Sequence, residues 1–193
     1  VSADSNETID SVFATASVGG FGLAVNKVVN LVTDTTQAGI ADSHIIESLT
    51  SPAGVAVRAH QSTGVTNRGG VGALGGVGVV GGFDTTIIGN DTSAFITVLN
   101  DQDGTSVHAG TAGVEVSAWS QEVVDSKTGS AGVGVGLGVA GAVSAIDIRG
   151  QTLALIGETT TGGGPIVVVS GGKIQVLATD VADVTTKAGA LAV

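Results

Sequence analysis

The sequence predicts an all-β protein, a right-handed parallel β-helix (solenoid) assembled from units of about 56–60 residues. Three observations point there. Thirty-two Gly and no Tyr, Met or Cys, with one Trp and four Phe, leave Val, Ala, Ile and Leu to fill any core. Abundant Val and Thr favour strands, and this much Gly disfavours helices. A long internal repeat then supplies elements that can stack.

The repeat has three anchors in one register. GVAVRAH (Gly54 to His60), GVEVSAW (Gly113 to Trp119) and KIQVLAT (Lys173 to Thr179) share a frame with VSAD at the start, and Val1, Val57, Val116 and Val176 are spaced by 56, 59 and 60 residues. TQAGI (Thr36 to Ile40), TSAFI (Thr92 to Ile96) and TLALI (Thr152 to Ile156) form a second anchor. Gly20, Gly76 and Gly136 make a third, with Gly22, Gly78 and Gly138 beside them. Residues two apart on a strand share a face. The constant Val57, Val116 and Val176, with Ala59, Ala118 and Ala178, are therefore expected to point inward. The variable positions point outward: Arg58, Ser117 and Leu177, then His60, Trp119 and Thr179.

The chain reads as one solenoid segment over 1–193, with units near 1–53, 54–112, 113–172 and 173–193. Each unit is long for one turn of a solenoid and suits two or three coils of roughly 20 residues, which gives about nine or ten coils and a length on the order of 45 Å. An antiparallel sandwich or barrel is the alternative, because Gly-rich segments also make hairpin turns. Lys27 to Ile40 is the best helical candidate, but its crowding of β-branched residues argues against a helix. Val1 opens inside a strand pattern and Val193 stops inside the repeat, as expected of a piece of a longer array.

Charge is sparse and acidic, seven Lys plus Arg against seventeen Asp plus Glu, with a net of −10. No basic cluster stands ready to neutralise phosphates, so nucleic acid is not an expected partner. Without Cys there is no disulfide framework. Thr128 to Ile146 runs nineteen residues without a charge, yet its GVGVGLGV alternates as a strand does,.

No residue set carries an expected catalytic, cofactor or metal role. G-x-G-x-x-G occurs from Gly70 to Gly75, Gly76 to Gly81 and Gly136 to Gly141, but β alternation follows where a nucleotide site needs a helix,. NDQDGT places Asn100, Asp101 and Asp103 before Gly104, a calcium-like cluster that also makes an ordinary polar turn,. His44, His60 and His108 lie far apart in sequence. Acids occur in pairs, Glu122 with Asp125 and Asp101 with Asp103, and a carbohydrate-active β-helix enzyme would need two of them across a cleft,. Asn6 and Asn90 match the N-glycosylation pattern,.

GGFGLAVNKVVNLVTDTTQAGIAD (Gly19 to Asp42) and GVGLGVAGAVSAIDIRGQTLALIG (Gly134 to Gly157) resemble the repeats of bacterial leukotoxin-type filamentous adhesins, the β-helical passengers of autotransporter or two-partner-secreted surface proteins. That resemblance implies an extracellular or cell-surface location and a role in adhesion or stalk building. It brings no catalytic residues. The expected function is a non-catalytic structural or adhesive solenoid. Its expected partners are neighbouring repeats or identical subunits stacked end to end, and a host-surface or matrix ligand. The alternatives are a self-assembling filament or sheath subunit and the carbohydrate-active enzyme.

Overall fold

The structure, a computed structural model, describes residues 1–99, 104–158 and 164–193. Seven strands follow in chain order: β1 (Ser2–Ala41), β2 (His44–Ile46), β3 (Gly54–Thr97), β4 (Thr105–Ala109), β5 (Gly113–Ile156), β6 (Ile166–Ser170) and β7 (Ile174–Ala192). β1, β3, β5 and β7 form one sheet in that order, and β2, β4 and β6 form a second. Every ladder among the described residues is parallel, which removes the antiparallel sandwich or barrel. The fold is a parallel β-solenoid, and Lys27 to Ile40 lies in β1 as strand.

The coil size differs from expectation. Ala3 pairs with Ala59, Ala59 with Ala118 and Ala118 with Ala178, so neighbouring strands are one whole repeat apart. Each unit is therefore a single coil, not two or three. The stack holds four long strands instead of nine or ten short coils, and at about 4.8 Å per strand it is roughly 15–20 Å thick,.

A straight strand of 44 residues would reach roughly 145 Å,. These strands double back instead. Asn67 reaches Asp84, 17 residues on, and Gln61 reaches Thr92, 31 residues on, by side-chain hydrogen bonds. The partners are centred on Gly76, which divides β3 into a first arm and a second arm that face each other. Buried positions are odd in the first arm, from Val57 to Ala73, and even in the second, from Gly78 to Ile96. Ser11 with Asn30 and Asn26 with Thr15 place the corresponding turn of β1 near Gly20. The glycine columns are these arch tips. A Cβ on Gly75 would lie 2.3 Å from the Gly19 carbonyl oxygen, and one on Gly78 would lie 2.7 Å from that of Val133. The spacing of 59 becomes 60 here as well: Gly75 pairs with Gly134 but Val77 with Leu137, and the bulged Val135 is 100% exposed,.

Between the arms the core is banded. Ala24, Val71, Ala73 and Val80 make an apolar band next to the tip. A polar band follows, in which Asp84 accepts from Asn67 and Ser126 while Asn30 donates to Asn67. Val32, Val65, Ile88 and Val124 make the next apolar band. Below it lie Gln61, Thr63, Asn90, Thr92, Ser120 and Glu122, all buried. The base is the largest apolar band, where Val57, Ala59, Ile96, Val116 and Ala118 meet Val107 and Ala109 of the short sheet. Val57, Ala59, Val116 and Ala118 are thus inside, as expected. Val176 is 47% exposed, and Ala178 is exposed too. Both share the inward columns of Val116 and Ala118, but no second arm among the described residues covers β7.

Candidate functional site

Because the inward side chains are spent on the core, any site must be built from the outward ones. The first arm presents a column of Asp4, His60, Trp119 and Thr179. His60 and Trp119 stack with ring centroids 4.2 Å apart and planes 6° from parallel. Asp4 lies 3.9 Å from His60 Nδ1. Nearby, Arg58 reaches diagonally to Glu115 of the next coil through two hydrogen bonds, 3.0 Å from Nε and 2.5 Å from Nη2. The Arg58 hydrogen bond is the largest influence on Glu115 and holds its carboxyl below the usual range, and Ser117 adds a second donor. A stacked ring pair thus lies beside an ion pair on one exposed face. It brings no nucleophile and base together.

The second arm presents a shallow groove lined by Thr35, Asp91, Gln151, Gln37 and Phe95. The Phe95 ring lies over Gly39 of the neighbouring coil, where a Cβ would come within 2.1 Å of it. Amide and carboxylate groups beside an aromatic edge suit recognition of a polar chain.

The residues weighed from sequence are scattered. Glu122 is 3% exposed and points inward, accepting from Ser120 at 2.5 Å and from Asn90 at 3.2 Å. Asp125 lies at an outward position on the same strand and accepts from Lys127. The two carboxylates therefore lie on opposite faces of the sheet and cannot flank one substrate. Asp101, Asp103 and Asn100 lie outside the described residues. Among the described residues no three His, Cys, Asp or Glu side chains converge as a metal set. Gly76, Gly78, Gly136 and Gly138 lie within β3 and β5, which continue as strand beyond them. Asn90 is 2% exposed and donates to Thr63 and Glu122, so the folded coil leaves no room for a glycan on it. Asn6 is exposed.

The buried polar bands were missed from sequence, although a signal for them existed. Once Ala59 is set inward, counting by twos sets Gln61, Thr63 and Asn67 inward too. The pairing of large with absent side chains between coils was also readable. Phe13 stands beside Gly69, and Gly39 beside Phe95. No known protein family matches this chain, and no curated protein or solved structure does either.

Proposed function

We propose that this chain is a non-catalytic structural module, a stalk or binding rod of a secreted or cell-surface protein. One observation carries the reading: each sequence repeat is one coil, and each coil pairs only with the coils beside it. Adding repeats then lengthens the object without altering its core, which is how a spacer is built. The interior acids serve to join the arms, which favours scaffold over enzyme. The acidic, lightly charged surface and the resemblance to filamentous adhesins support a location outside the cell. A second reading, a subunit that stacks into filaments, is favoured by β1 and β7, which are the two ends of the long sheet,.

Inserting one, two or three further copies of residues 54–112 tests the leading reading. Small-angle scattering should show the particle growing by about 4.8 Å per copy, and incubation with a panel of polysaccharides should release no reducing ends. A particle whose stacking dimension does not grow with copy number, or one that cleaves a glycan, defeats the proposal. Concentration-dependent growth of the unmodified chain into rods would favour the filament reading instead.

A further inference from the structure

Cations are few in this chain, yet three of the seven line up. Arg68 pairs with Lys127 and Lys127 with Lys187, making one outward row across three neighbouring coils. From that row to the tip no charged side chain occurs: Gly69 to Phe83, Thr128 to Ile146 and Ala188 to Val193 carry none. The first coil differs in placement only, since Phe13 to Asn26 is uncharged and Lys27 follows it on the second arm.

The uncharged end also exposes large apolar side chains. Val18 is 79% exposed, Leu74 51%, Val133 38% and Leu191 59% on the first arm, and the bulged Val135 at the tip is 100% exposed. Val18, Leu74 and Val133 occupy equivalent positions in successive coils and make an apolar rim parallel to the cation row. Between row and rim Gly70, Gly129 and Gly189, then Gly72 and Ala131, keep the face low, and Leu191 adds one apolar side chain beside Ala131.

We propose that this first-arm face and the arch tip dock on an anionic lipid bilayer surface, with the row on headgroups and the rim in the boundary with the acyl chains. The combination of an uncharged apolar rim and a parallel row of cations is the chemistry of interfacial binding. The row carries one counter-charge of its own: Asp125, one step below it, forms an ion pair with Lys127. Its carboxyl is held below the usual range first by that hydrogen bond, with Arg68 and Lys187 adding to it through space, so Lys127 turns to headgroups by exchanging that partner. The pose is a leaning one. Driving the tip straight in would bring the unpaired N–H and C=O groups of the sheet edges into hydrocarbon, which is costly. Laying the first-arm face along the surface brings row and rim to one depth and leaves those edges among headgroups.

The test is flotation of the 193-residue chain with vesicles of phosphatidylglycerol and phosphatidylcholine in equal parts, beside vesicles of phosphatidylcholine alone. Binding is expected to the first and to be weak on the second, and to fall with added salt. The triple variant Arg68→Glu, Lys127→Glu, Lys187→Glu should bind on the order of 100-fold more weakly, from roughly fivefold per cation. Leu74→Asp with Val133→Asp should also lose binding, while Leu31→Asp on the opposite face keeps it. All three variants alter exposed side chains, and unchanged circular dichroism would confirm their folding. Equal binding to both vesicle types, binding indifferent to the row and rim variants, or no binding at all would overturn the proposal. A lipid-free dimer lost in Leu74→Asp with Val133→Asp would overturn it in favour of a second copy as the occupant.

Discussion

At Gly69 a Cβ would lie 1.9 Å from the end of the Phe13 ring in the neighbouring coil. That one contact shows how a narrow core accepts an aromatic at all: the ring occupies the space that a side chain in the next coil gives up. Substituting Gly69→Val should therefore destabilise the protein by about 1–3 kcal/mol through overpacking. In a Phe13→Ala background the clash is gone and the better strand former wins, so the same substitution should become neutral or stabilising. Urea unfolding of the four proteins would read this out, and a cost that persists without the ring would refute the pairing. A second consequence at this scale concerns acid. Because Arg58 holds the Glu115 carboxyl low in the folded state, their pairing helps stability above the unfolded carboxylate's range and is lost as pH falls through the folded value,. The pair is exposed, so its share is small,. Arg58→Ala should lower stability slightly at neutral pH and converge with the parent protein in acid, so that urea midpoints followed against pH show a flatter acid limb.

The arch is the element that sequence reading resolved least. Its inward columns were legible from Val57, Ala59, Val116 and Ala118, because a repeat preserves the parity of a strand. The turn was not, because Gly alternating with Val keeps a strand's period straight through the tip and gives no break in pattern. Nor was the coil size, since nothing in the spacing of Ala59 and Ala118 says whether the chain passed around once or three times between them. Polar residues such as Gln61, Asn67 and Asp84 look like solvent positions until the opposite arm is known to supply their partners. Among the elements themselves, β3 and β7 should behave least alike. β3 is paired on both sides and closed by its own second arm, whereas β7 lies at the edge of the sheet with nearly all its residues exposed. Amide exchange followed by mass spectrometry should find Val57 to Val71 slowest and Ile174 to Ala192 fastest. Equal protection of the two would mean that β7 is covered by something in solution.

For the molecule as a whole, stability should rise with each added coil. Contacts run between coils about 56–60 residues apart and scarcely beyond, so the array behaves as a one-dimensional chain of similar links,. Chains with one and two inserted copies of residues 54–112 should each unfold at higher urea than the one before. A midpoint indifferent to copy number would show that the coils do not support one another. Parallel stacking carries a hazard that this core answers. Strands with only Val and Ala inside could slide past each other by two residues and still keep every side chain on its proper face. Here Asn67 lies beside Ser126, and Val65 beside Val124. A slip of two would set Asn67 against Val124 and Val65 against Glu122, breaking the Ser126 bond to Asp84 and pushing an apolar group onto a carboxylate. The alternation of wet and dry rungs thus works like the unevenly cut teeth of a key, and only one alignment lets the next coil close.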